Sequence, residues 1–294
     1  MAAYLPSQRD LPFTQWAGAH FQQVRERRKS GVRILAAFDR LWPGALVDVK
    51  KFKKAHPKLP TPEPLVKSSP LDRSLIRMLI QHCPDPHRIR GMNQAEIIAM
   101  VREYTGRCGK ATAARIAACA QNALLPPAEI STVLVKRVQA DFEHYLAIER
   151  RLDQLAEEAD RLIPGSSAEV LTSVPGISAC LAARYLAGVG DIKRFANASE
   201  VWSFAGFDPK ISGSSDSLEV GSISKKGDAA FRDALFTIGV HTSRACKPIG
   251  VAKERALKSG KSGVEANVHA AHKANRLCWH LLHHQERYDP DRHR

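Results

Sequence analysis

"STVLVKRVQADFEHYLAIERRLDQLAEEADRLI", residues 131 to 163, is the stretch that decides the fold. Leu134, Val138, Asp141, Tyr145, Ile148, Leu152, Leu155, Ala159 and Leu162 follow one another in alternating steps of four and three. Eight of these nine are apolar, and Glu, Arg and Lys fill many positions between them. That period belongs to an α-helix with a single apolar seam, because residues three and four apart share a helix face. Pro164-Gly165 closes it. Two packings would cover the seam: a coiled coil, or burial of the helix against its own domain. The unbroken heptads favour the coiled coil, within the chain or between copies, with a homo-oligomer expected through it and Asp141 at a seam position to specify register.

Working outward, residues 13 to 42 predict a basic helix. "QQVRERRKSGVRILAAFDRLW" sets Val24, Ile34, Leu35 and Phe38 among arginines, and Pro43-Gly44 ends the pattern. "KKFKKAHPKLPTPEPLVKSSP", residues 50 to 70, holds five prolines and six lysines and predicts a solvated linker with little helix. Short helices are expected over 71 to 82, 93 to 104 and 110 to 124, the last stopped by Pro126-Pro127. A second compact unit follows the long helix. The expected plan is a mainly α protein in three parts: a helical region at 1–130, a coiled-coil helix at 131–163, and a domain at 166–290.

The chain has 294 residues, 44% of them apolar, enough to build a core. Its formal net charge is +14, which points to a polyanionic partner, because each neutralised phosphate releases condensed counterions. The six cysteines form no CxxC pair, which argues against a zinc ribbon or a disulfide framework and for reduced thiols. No signal peptide and no run of ~20 apolar residues is present, so the expected compartment is the cytoplasm, with no membrane partner.

Three stretches carry candidate chemistry. Val174-Pro175-Gly176-Ile177 stands before a helix and is similar to a helix-hairpin-helix turn, in which backbone N–H groups at a helix N-terminus hold a phosphate without reading a base. Pro175, Gly176 and Ile177 are therefore candidate nucleic-acid contacts. "GFDPKISGSSDSLEVGSISKKGD", residues 206 to 228, carries six serines and shows no strand alternation, and predicts an irregular loop. Lys225, Lys226 and Gly227, with Arg232 in the helix beyond, suggest a phosphate clamp. A hydroxyl beside such a clamp is a candidate nucleophile on phosphorus, although no histidine lies in the stretch to act as base. The tail residues Cys278, His280, His283 and His284 do not make a tetrahedral metal set on one helix, and no metal ligands are assigned.

In order, the long helix, "SVPGISACLAARYLAGVGDIKRF", "FAGFDPKISGSS", "SISKKGD", "FRDAL" and a basic tail with "YDP" resemble the insertion-sequence 110/116/902 family of transposases. The likeness covers residues 166 to 290, with a weaker one upstream in "VRERRKSGVRILAAFDRLWPG". It implies DNA transposition, a DNA recombination in which a serine attacks a phosphodiester, with a structured guide RNA as a further partner. It also implies an N-terminal RuvC-like domain whose acidic residues hold a divalent metal, Mg. The family's serine stands five residues after the proline of its Gly-x-x-Pro turn, which is Ser214 counted from Pro209. Ser215 replaces a glycine common there, and Asp228 an asparagine, so Ser212 and Ser215 stay as alternatives. Asp10, Asp39 and Asp48 do not stand in the contexts of the acidic ligands. The expectation is a chain without the RuvC-like domain: a truncated frame, a decayed element or half of a split enzyme, inactive alone and without a cofactor of its own. A non-enzymatic DNA- or RNA-binding module and a coiled-coil assembly protein are the competing readings.

Overall fold

The computed structural model describes residues 11–214 and 217–292. Those residues form twelve α-helices and one antiparallel pair of strands, so the protein is mainly α. In chain order the elements are α1 (Leu11–Leu41), α2 (Val49–Ala55), α3 (Ser74–His82), α4 (Pro86–Arg90), α5 (Gln94–Thr105), α6 (Lys110–Asn122), α7 (Ala128–Leu162) and α8 (Ala179–Val189). After these come α9 (Ala198–Phe204), β1 (Pro209–Ser214), β2 (Ser217–Ile223), α10 (Ala229–Ala245), α11 (Lys247–Lys258) and α12 (Gly263–His284). Asp10 and Ser215 lie outside the described residues.

The chain makes two compact units, one from Met1–Gln23 with Arg151–Arg294, the other from Val24–Arg150. The long helix α7 forms where the heptads place it, but it is no separate part. Val138, Phe142 and Tyr145 belong to the core of the Val24–Arg150 unit, while Leu155 and Ala159 belong to the other core. These seam residues are buried by the chain's own side chains. Asp141 is half-buried and sits 3.9 Å from Arg137, one turn earlier on the same helix.

In the Val24–Arg150 unit, Phe38 and Leu41 of α1 and Trp42 just after it pack with α3, α5, α6 and α7. Glu149 takes two arginines, at 3.0 Å from Arg27 and 2.6 Å from Arg77. Burial pushes its carboxyl up, but hydrogen bonds and charge from Arg77 and Arg27 bring it below the ordinary carboxylate value. Part of the expected linker is helical: α2 starts because Asp48 accepts from the amides of Lys50 and Lys51, and lysine tolerates a helix well. The prolines that oppose helix begin only at Pro57.

The other unit is built around α8, α10 and α12. Leu181, Tyr185 and Leu186 meet Phe231, Leu235 and Ile238, with Ala270, Ala274 and Cys278 closing the layer. At the crossing of α10 and α12 a Cβ on Gly239 would lie 2.5 Å from the Ala271 backbone, so a bare glycine sets how closely these helices approach. Inside the layer the Tyr185 hydroxyl donates to Asn275 Oδ1 at 3.0 Å, and Asn275 Nδ2 donates to the Ala198 carbonyl at 2.7 Å. Both polar groups are buried and satisfied, as a stable core requires.

His20 stacks on Trp16 in the same unit, and its Nδ1 is buried without a partner. Burial, with the nearby Arg184 guanidinium, lowers the imidazole to about 4 from 6.5. Between those values the unfolded chain binds the proton and the folded one does not, so stability falls as pH drops through that window. With partial solvent screening the loss should be about 1–2 kcal/mol between pH 7 and 5. Chemical denaturation at both pH values checks it, and His20→Phe should remove that part of the slope.

Candidate nucleic-acid interface

The serine-rich stretch is a β-hairpin, not an irregular loop. Ile211 pairs Val220, Ser212 pairs Glu219, Gly213 pairs Leu218 and Ser214 pairs Ser217, with a bulge between Pro209 and Ile211. Polar and glycine residues hide the pattern, yet Leu218, Val220 and Ile223 supply enough strand-forming character, and the ladder satisfies the backbone. Ser214 is the last paired residue of β1.

The base of the hairpin is locked by two turns packed back to back. Ser224 N donates to the Asp208 carbonyl at 2.6 Å, and Lys225 N donates to the Gly206 carbonyl at 3.0 Å. Lys225 takes a left-handed φ of 56° to do so. A Cβ on Gly227 would fall 2.0 Å from the Phe204 carbonyl oxygen and 2.7 Å from Gly206 N, so both glycines are required by contact of backbone with backbone. Arg232 Nη1 donates to the carbonyls of Ala205 (3.0 Å) and Gly227 (3.2 Å), tying the turns together. Lys225 and Lys226 are left exposed at the edge of this knot. Asp228 accepts from Ala230 N at 2.7 Å as the N-cap of α10, a position that aspartate and asparagine fill about equally well.

The structure does not gather the expected contacts around one phosphate. From Ser217 to Ile223 the strand rises about 20 Å at ~3.4 Å per residue, so Ser214 and the lysines stand at opposite ends of the hairpin. The Pro175-Gly176 turn lies elsewhere again. Gly176, at φ 95°, sits where a Cβ would be 2.9 Å from the His241 carbonyl oxygen, near the far end of α10. His241 is thirteen residues after Asp228, or about 20 Å along the helix axis. The turn joins a 3-10 helix, Ser167–Ser173, to α8, whose N-cap Ser178 accepts from Leu181 N. Pro175 and Gly176 are exposed, but Ile177 is buried in the core and its amide donates to the Val174 carbonyl.

In the tail, His280 pairs with Glu286 at 2.7 Å and His283 stacks on Trp279. Among the described residues no group of three or more His, Cys, Asp or Glu could hold a metal ion. No described helix is long and apolar enough to cross a membrane. Two features of the site escaped the sequence: the contact of Gly206 with Gly227, and the use of Arg232 on carbonyl oxygens. The Gly-Phe-Asp-Pro turn was a signal for the first, since Gly206 needs a φ of +78°.

Gly227→Ala should therefore push the two turns apart and lower stability by roughly 2–3 kcal/mol, the range for forced overpacking. Melting should show it, while Gly18→Ala, at an exposed position of α1 with open space around it, should not lower the melt.

Residues 168–253, from the 3-10 helix through the hairpin into α11, match the family model described as transposase IS116/IS110/IS902 family. The chain is also similar to a probable family 20 transposase of Pseudomonas aeruginosa, at 26% identity over 216 residues. That alignment covers 69% of this chain and 64% of the relative, so the chain spans less than two thirds of the relative's length. Turn, hairpin, glycine–lysine knot and α10 all fall inside the segment that matches the IS116/IS110/IS902 transposase family.

Proposed function

We propose that this chain binds DNA and supplies the serine nucleophile of a transposition reaction, with Ser214 as that serine. The observation that carries the reading is the place of Ser214: the last paired residue of a hairpin whose base is rigidly anchored, within the segment that matches the transposase family. In the step proposed, the Ser214 Oγ–P bond forms as the bond from phosphorus to a sugar oxygen breaks. The serine proton leaves to solvent or to a base of the assembled complex, and the departing sugar oxygen takes up a proton. No step is drawn through a metal.

The separation of about 20 Å along the hairpin divides the labour. Lys225 and Lys226 are assigned to holding the DNA backbone several nucleotides from the scissile bond, since neighbouring phosphates on one strand are spaced by about 3.4 Å of helix axis. Their loss should raise the DNA concentration required and flatten the salt dependence, and leave the rate at saturation unchanged. Arg232 acts through the turns it ties together and is a positioning residue.

The test uses the full chain with a plasmid carrying its own gene and flanking DNA, with and without a RuvC-like acidic domain supplied in trans. A covalent protein–DNA adduct mapped by mass spectrometry to a hairpin peptide supports the reading. An adduct on a tyrosine, or strand exchange with no adduct on any serine, would overturn it.

A further inference from the structure

The hairpin leaves the C-terminal helices without a role, yet these hold a basic concavity. A cavity of about 1000 Å³ opens between the face of α11 that carries Lys247, Val251 and Arg255 and the face of α12 that carries Lys273 and Arg276. Pro175, an exposed residue of the candidate phosphate turn, is part of its wall. Lys247, Val251 and Arg255 are spaced by four residues each, so they rise along one side of α11. Four cations and one carboxylate, Asp291, line the space. A second cavity of about 550 Å³ shares Lys273 and Arg276 with the first and continues past His272 and Trp279 to Arg292. The two make one trench along α12.

The lining is more than positive. Val251 is 40% exposed, an apolar side chain left between two cations. Tyr288 closes the trench from the tail, its backbone N donating to Ser173 Oγ at 2.8 Å and its hydroxyl 3.4 Å from Cys246 Sγ. Burial and the Cys246 contact push its phenol up to about 12, so it adds no negative charge near a phosphate. Cations that follow a backbone, interleaved with apolar and aromatic side chains, suit a single nucleic-acid strand, whose unstacked bases can lie on such surfaces. A duplex buries its base faces and would use only the charge.

We infer that the trench between α11 and α12 binds one single strand of nucleic acid through its phosphodiester backbone, at a site separate from the serine hairpin. Ala245 and Cys246 line the larger cavity at the C-terminal end of α10, whereas the glycine–lysine knot lies at its N-terminal end. Along α10 that is a separation of about 25 Å. This inference rests on the proposed DNA-binding function and adds a second, distinct strand path to it. DNA and RNA share the backbone chemistry, so both are tested.

The experiment measures fluorescence anisotropy of the full chain with labelled oligothymidylate, oligouridylate and a mixed-sequence duplex of equal length, over a salt series. Arg255→Glu with Arg276→Glu is the trench variant, and Lys225→Glu with Lys226→Glu is the hairpin-base variant. Both pairs are exposed, and melting curves verify the folds. The trench variant should weaken single-strand binding by about tenfold or more and reduce the log–log salt slope by about 1.4, at ~0.7 per contact. The hairpin-base variant should leave single-strand binding within about twofold and weaken the duplex. A preference of the wild type for one oligonucleotide names the natural source of the strand. Crosslinks from 5-iodouracil strands should fall in peptides of α11, α12 and the Tyr288 segment. Wild-type single-strand affinity in the trench variant, or loss confined to the duplex, overturns the inference and leaves the proposed function standing. A wild-type chain with no salt-dependent affinity for any probe overturns both.

Discussion

Ser214→Ala is expected to abolish the covalent protein–DNA adduct while changing DNA affinity by less than about 1 kcal/mol. The asymmetry follows from what is removed: one hydroxyl, with no charge, at the end of a hairpin whose ladder is made by backbone groups. Affinity comes from cations elsewhere, so it should survive. The adduct cannot, because no other atom at that position can bond to phosphorus. Only one hydroxyl of the stretch can be in line with the leaving oxygen, so the serines matter unequally. Ser217→Ala, directly across the ladder from Ser214, should do little. An adduct that persists in Ser214→Ala and disappears in Ser212→Ala or Ser215→Ala would move the nucleophile. Gel shift and adduct mapping on the same samples separate binding from chemistry.

Asp233→Ala should destabilise the unit that holds the hairpin by about 3–5 kcal/mol. Arg184 of α8 donates to Asp233 of α10 at 2.7 Å, and its side chain is only 6% exposed. Removing the carboxylate leaves a buried guanidinium with no counter-charge, and the lost desolvation energy is not recovered. For a unit of this size the melting temperature should fall by roughly 10 °C or more. The pair Arg184→Met with Asp233→Leu should recover most of the loss, since two apolar groups leave no charge unpaired. If Asp233→Ala melts like the wild type, the pair is solvated and the packing of α8 on α10 is looser than described.

The mainly helical fold was legible because its signals are local. The alternating four-and-three spacing of residues 134 to 162 makes a helix wherever its seam is covered, and α7 forms with bounds close to those expected. The helices α1, α5 and α6 likewise form over spans close to those expected, and the structure adds a capping box of Asn93 with Glu96 at the start of α5. The sequence by itself also carried the family likeness and, with it, the choice of Ser214 as candidate nucleophile.

What covers the seam of α7 was not legible, because a heptad states that a face is apolar and not which surface meets it. Tertiary packing places Phe142 and Tyr145 in one core and Leu155 and Ala159 in the other. The hairpin escaped for a related reason. Serine and glycine carry little strand preference, and the ladder exists because each strand satisfies the other's backbone. Arg232 was read as a phosphate ligand from its type and spacing, but a guanidinium donates equally well to carbonyl oxygen, and the apposed turns at Gly206 and Gly227 bring two within 3.2 Å. The trench unites residues from Pro175 to Asp291, and no periodicity links side chains so far apart in the chain. Local pattern sets which segments become helices. Only the packing of those helices sets which charges share a groove, because a groove is a relation between surfaces.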